Sequence, residues 1–209
     1  MSFNLHKLKR RVQAVGSTLA DWAFFIGIVL IGGLGSSWYM VEAGSRLTTA
    51  QLGPWIHWTA AARADADPYT RAHFSRAGTL PLPTEVASTY LARTDNDGTK
   101  LHSSCDYLVE GSDLDAGWWS LTVFDDAGRL IPNPAKRHAF TSETITRSGD
   151  GRFAISLARD ARPGNWLPTG RAGRLSLLLV RLEPTERRRA AAAENELQRM
   201  PLITKVSCR

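Results

Sequence analysis

Cysteine is nearly absent, with two in 209 residues, which excludes a disulfide-scaffold miniprotein and a four-cysteine zinc site. Motifs that announce chemistry are missing too. There is no Gly-x-Ser-x-Gly elbow, no His-Glu-x-x-His helix, no Walker loop and no Gly-x-Gly-x-x-Gly turn. His57, His73, His102 and His138 are scattered, without the His-x-His or His-x-x-x-His spacing that builds a metal site, so neither metal nor cofactor is expected. Asp95-x-Asp97-Gly98 resembles the start of a calcium loop, but Lys100 and Asp106 stand where that loop needs Gly and Glu. A hairpin turn is the expected structure there. Charge of one sign is not in great excess. Lys and Arg number 26 against 20 Asp and Glu, and the resulting +6 is too diffuse for a nucleic-acid partner. With 43% hydrophobic and 22% charged residues, the chain is neither a disordered polymer nor a polytopic membrane protein. The length fits one globular domain with an appendage.

What is present begins with a long apolar run. Residues 18–41 carry one charge, Asp21, and include Trp22-Ala23-Phe24-Phe25-Ile26-Gly27-Ile28-Val29-Leu30-Ile31. A helix needs about 20 such residues to cross a bilayer core. Trp22 at one end and Trp38-Tyr39 at the other sit where interfacial aromatics belong. Lys7, Lys9, Arg10 and Arg11 precede the span, so the positive-inside rule keeps residues 1–17 as a basic cytoplasmic tail and exports the chain beyond the span. The reading is a membrane anchor with an exported domain. A cleaved signal peptide is the rival, with small residues near Val41-Glu42-Ala43, although this run is longer than a typical signal core.

An exported domain suits an oxidised Cys105–Cys208 pair. That bond would close a loop of about 100 residues, roughly 4–5 kcal/mol in the chain-entropy model. Two free or intermolecular thiols are the other reading. Residues 42–84 read as a helical linker and an N-terminal helix. Asp67-Pro68 is its start signal and Gly78 its stop. Residues 85–209 change to strands and turns. Asp95-Asn96-Asp97-Gly98, Asp125-Asp126-Ala127-Gly128 and Ser148-Gly149-Asp150-Gly151 are turn clusters. Between them, Cys105, Tyr107 and Val109 share one face, as do Trp119, Leu121 and Val123, and Phe153, Ile155 and Leu157 opposite Arg152, Ala154 and Ser156. The expected fold class is mainly β, an antiparallel β-sandwich of jelly-roll type with short flanking helices, preceded by one transmembrane helix. The run from Arg187 through Glu194 and Glu196, bounded by Pro184 and Pro201, reads as a solvated C-terminal helix.

Asp67-Pro68-Tyr69-Thr70-Arg71-Ala72, Trp119-Ser120-Leu121-Thr122 and Asn165-Trp166-Leu167-Pro168 occur in this order, with Asp150-Gly151 between the last two. Leu179-Val180-Arg181-Leu182-Glu183-Pro184 comes next. This pattern resembles the domain-of-unknown-function 1214 family of bacterial proteins over about residues 50–205. The resemblance implies a jelly-roll sandwich, often fused to or encoded beside a second uncharacterised domain. It implies no agreed activity. The family's usual Arg-Leu-Tyr-x-Pro ending is here Arg181-Leu182-Glu183-Pro184.

Candidate ligand contacts are Trp118, Asn165, Trp166, Tyr69 and Arg71. Aromatic rings with Asn, Asp and Arg nearby can stack on the C–H faces of sugars, and they equally fill sandwich cores. Arg181, in an apolar strand, needs a carboxylate, and Asp67 or Asp125 is the expected ion-pair partner. The functional reading is a single-pass envelope protein that binds a companion envelope protein or an envelope glycan. The alternative is a periplasmic hydrolase using Asp113, Asp115, Asp125 or Asp126 as paired acids.

Overall fold

A computed structural model describes residues 3–84, 86–112, 114, 116–182 and 200–209. Two compact units divide the chain, Met1–Ser45 and Arg46–Arg209. The first unit is one helix, α1 (Phe3–Ala43). Within it, the 26 residues Thr18–Ala43 have a mean hydropathy of 1.8 and are long and apolar enough to cross a membrane. Their large side chains, Phe24 and Ile31 among them, are exposed.

The second unit is mostly β. Its strands are β1 (Thr49–Leu52), β2 (Trp55–Trp58), β3 (Ala87–Ala92), β4 (Cys105–Gly111), β5 (Trp118–Asp125), β6 (Ala139–Thr141), β7 (Phe153–Ala158), β8 (Asn165–Pro168), β9 (Leu175–Leu182) and β10 (Leu202–Cys208). They form a six-stranded sheet, β1-β2-β3-β9-β5-β6, and a four-stranded sheet, β10-β4-β7-β8. Every pair is antiparallel except β7 and β8, which run parallel. The sandwich expected from the alternating runs is present, and the second sheet is mixed.

Alternation decides which side chains meet. Trp119, Leu121 and Val123 of β5 and Leu175, Leu177 and Leu179 of β9 are buried on one face of the first sheet. Tyr107 and Val109 of β4, with Phe153, Ile155 and Leu157 of β7, are buried on one face of the second. All belong to one apolar core. The rings of Trp119 and Phe153 lie 5.0 Å apart across it. Gly111 has no side chain because a Cβ there would sit 2.5 Å from the end of the Phe153 ring.

The segment after α1 departs from expectation. Thr49–Leu52 and Trp55–Trp58 form a β-hairpin across Gly53-Pro54, with Gly53 at φ +60. This stands where a helical linker was expected. Trp55 is fully buried and its indole N–H donates to the Pro201 carbonyl at 2.8 Å, so tertiary burial prevails over local preference. The alanine-rich run after the hairpin is turns. The helix beyond it, α2 (Pro68–Ala77), is as expected. Asp67 accepts hydrogen bonds from the Tyr69 and Thr70 amides, and Gly78 closes the other end at φ +63.

Cys105 and Cys208 are disulfide-bonded, opposite one another on β4 and β10 and 103 residues apart in sequence. The bond ties the last strand to the second sheet. The C-terminal helix expected between Pro184 and Pro201 falls within 183–199, outside the described residues, as do Asp113 and Asp115. Thiol alkylation of the unfolded protein before and after reduction should differ by two labels. Replacing Cys208 by Ser should lower stability by about 4 kcal/mol in a denaturant titration, because the unfolded chain regains loop freedom.

Candidate functional site

The outward face of the second sheet carries an open concavity. In the register of that sheet, Leu202, Glu110 and Ala154 lie in one row across β10, β4 and β7, and all three are exposed. Gly111 and Ser112 extend the row's edge, and Pro163, Gly164 and Asn165 approach from the start of β8. The turn from Thr146 to Arg152 forms the remaining wall. Together they enclose an open cleft of about 700 Å³ with Arg147, Arg152, Glu110 and Ser148 on its rim. Both signs of charge, hydroxyls and apolar Leu202 and Met200 therefore converge there.

The wall is held by hydrogen bonds that use up its own polar groups. Asn165 is buried, with its Oδ1 accepting from the Thr146 amide at 2.9 Å. Its Nδ2 donates to the carbonyls of Thr146 at 2.8 Å and Ala154 at 3.0 Å. That fills both of its amide donors. Within the turn, Asp150 accepts from the Ser148 hydroxyl and from Arg152 Nε. Those two contacts, the hydroxyl foremost, hold the Asp150 carboxyl down at about 2. Arg147 donates to the Ser142 carbonyl at 3.0 Å.

The five residues expected to contact a ligand are not gathered in one place. Of them, Asn165 alone lines the cleft, and its amide is engaged with backbone. Trp166 lies on β8, opposite Ser156 of β7. Its indole N–H donates to the Ala158 carbonyl at 3.0 Å and its ring is half-buried. Trp118 is half-buried at the start of β5, in the other sheet, while its neighbour Trp119 fills the core. Tyr69 and Arg71 are on α2, where Arg71 donates to the Ala64 carbonyl.

The two carboxylates expected to pair with Arg181 make other contacts. Asp67 caps α2, with Oδ1 on the Tyr69 and Thr70 amides and Oδ2 on the Thr70 hydroxyl. Burial raises its pKa, but those donors outweigh it and the net shift is downward. Asp125 is engaged in its own turn by the amides of Arg129 and Ala127 and by Arg129 Nε, with the Arg129 amide the main cause of its lowered pKa. Arg181, itself buried, approaches Tyr90. Its Nη1 lies 3.5 Å from the phenol oxygen, and its guanidinium carbon lies 5.7 Å from the ring centre. Asp126 is 69% exposed, 3.9 Å from Arg174. Asp95 likewise accepts from the amides of Asp97 and Thr99, the turn expected in place of a calcium loop. Among the described residues, no three His, Cys, Asp or Glu side chains converge as a metal site.

Sequence reading overlooked Glu110, Arg147, Ser148 and Leu202 as cleft residues. One signal was available, since Arg152, Ala154 and Ser156 form the polar stripe opposite the apolar face of β7. Which strands flank that stripe is not written in β7 itself.

The arrangement defines a β-sandwich domain with an open cleft on one outer sheet face. Residues 86–186 match the family described as "Protein of unknown function (DUF1214)". Among solved structures, the VPA0106 protein from Vibrio parahaemolyticus is similar at 21% identity and a TM-score of 0.59, covering 84% of this chain. The chain spans 43% of that protein's length, and the likeness shows the fold. An uncharacterized protein from Burkholderia cenocepacia aligns at 18% identity and a TM-score of 0.42, over 59% of this chain and 30% of its own. No curated protein matches the chain.

The wall can be tested at two residues. Asn165→Ala should destabilise the domain by roughly 2–4 kcal/mol in a urea titration, because it strands the Thr146 and Ala154 backbone groups. Asp150 has a folded pKa of about 2, below the unfolded value of about 3.9. Its contribution is therefore complete above the unfolded pKa and fades as pH falls toward the folded one. Asp150→Asn should flatten that stretch of the acid limb in a thermal melt; an unchanged limb would assign it to other carboxylates.

Proposed function

We propose that this chain is an inner-membrane-anchored accessory protein whose exported sandwich holds a segment of a companion envelope protein in the cleft of the second sheet. The carrying observation is the cleft itself. It is open along the row from Leu202 through Glu110 to Ala154 and mixes exposed apolar carbon with both signs of charge. Protein interfaces combine an apolar centre with a polar, hydrogen-bonding rim in this way.

Anchoring rests on the apolar stretch Thr18–Ala43 and on the basic residues before it. A periplasmic location for the domain gains support from the Cys105–Cys208 disulfide, which persists in oxidising compartments. The glycan reading loses its platform, since Trp118 and Trp166 do not line the cleft. The hydrolase reading loses Asp125, whose carboxylate is engaged in its own turn.

Full-length protein should be purified from its native membrane in mild detergent, beside Ala154→Trp. Ala154 is exposed, so the substitution fills the cleft without disturbing the core. The native chain should capture a stoichiometric protein, and Ala154→Trp should lose it while keeping its melting temperature. Equal capture by both, or capture by neither, would overturn the reading.

A further inference from the structure

Among the described residues of the second unit eight large apolar side chains stand exposed; Leu130, Leu202 and Val206 lie elsewhere, and the other five are Leu47 at 88%, Leu80 at 97%, Leu82 at 49%, Val86 at 54% and Leu182 at 36%. Strand register collects them at one end of the six-stranded sheet. Thr49 pairs with Trp58, so Leu47 lies just beyond the start of β1 at the end where β2 finishes. The antiparallel pairing of His57 with Tyr90 brings the start of β3 to that same end. Ala87 then pairs with Leu182, and Leu182 with Trp118, which carries the row across β9 to β5. Val86 immediately precedes Ala87. Leu80 and Leu82 sit in the connection from α2 to β3, whose two ends are fixed at this edge. On the helix side, His73 and Phe74 pack on Trp58 with ring centres 4.1 and 5.9 Å away. On the strand side, the amides of Val86 and Ala87 donate to the Pro83 carbonyl.

The covalent chain indicates what this end meets. Leu47 comes four residues after Ala43, the last residue of the candidate span. A chain of that length reaches at most about 14 Å. Leu47 is therefore tethered by the covalent chain within about that distance of the end of the candidate span. Pro81 and Pro83 have no amide N–H, so Leu80 and Leu82 can enter an interface with fewer backbone donors to desolvate. Exposed Arg46, beside Leu47, suits the phosphates of anionic lipids.

We infer that this end of the sandwich is a lipid-contacting rim, with Leu47, Leu80, Leu82, Val86 and Leu182 set into the outer-leaflet interface of the membrane that α1 spans. The inference rests on the anchor reading.

Full-length protein should be reconstituted in phosphatidylethanolamine–phosphatidylglycerol vesicles with a nitroxide on Leu80→Cys or Leu82→Cys, and on Leu130→Cys as the distant reference. Leu130 bridges Phe124, about 20 Å along β5 from Trp118 at the rise of an extended strand. Vesicle flotation reports the anchor, and relaxation by oxygen against a water-soluble nickel chelate reports the rim. Co-flotation, with the Leu80 and Leu82 labels several-fold richer in oxygen and poorer in nickel contact than Leu130, is the expected result. Co-flotation with all three labels equally open to nickel overturns the rim and leaves the anchor standing. Labels shielded from both probes mark a protein-covered surface and also overturn it. Failure to float overturns the anchor reading, and the rim with it.

Discussion

Burial of Trp119 against Phe153 is the contact on which the rest of the domain depends. It joins β5 of the six-stranded sheet to β7 of the four-stranded sheet through the middle of the core. Aromatic pairs of this kind add about 0.5–1.5 kcal/mol beyond the apolar area they bury. Gly111 gives way to the Phe153 ring, so a side chain on β4 is sacrificed to let the sheets approach. With both sheets committed to this contact, alternation forces Glu110, Ala154 and Leu202 outward, where they form the floor of the cleft.

The second sheet has few strands, and its completion comes from the far end of the chain. β10 arrives from residue 202, pairs with β4 and is locked by the disulfide at its last residues. The Trp55 indole reaches from the first hairpin to the carbonyl of Pro201, just before β10. Asn96 adds a second link, exchanging hydrogen bonds with the backbone of Ile203. Early and late segments thus close the same sandwich, and the cleft wall contributed by Leu202 depends on that closure.

Much of this architecture is legible in the sequence. The long apolar helix, the capped helix from Pro68 and the central strands follow from local composition, capping chemistry and periodicity. The hairpin from Thr49 to Trp58 is not legible. Its strands are four residues long, too short for a period to declare itself, and Trp55 is held by Pro201 rather than by its neighbours. Asn165 and Trp166 stand out in the sequence as unusual. Their roles do not, because the Thr146 and Ala154 groups that Asn165 binds lie 19 and 11 residues away.

By itself the sequence determined the properties that depend on near neighbours: a helix able to span a bilayer, an alternating apolar face on each long strand, the turns built on Asp and Gly, and the capped helix α2. Tertiary structure alone decided the properties that depend on register between distant strands. It brought Leu202, Glu110 and Ala154 into one row, aligned Leu47, Val86 and Leu182 along one edge, and set Arg181 beside Tyr90. The physical reason is range. Periodicity and capping act within a few residues, whereas strand pairing is chosen by burial of the whole core, and no single segment encodes its partner.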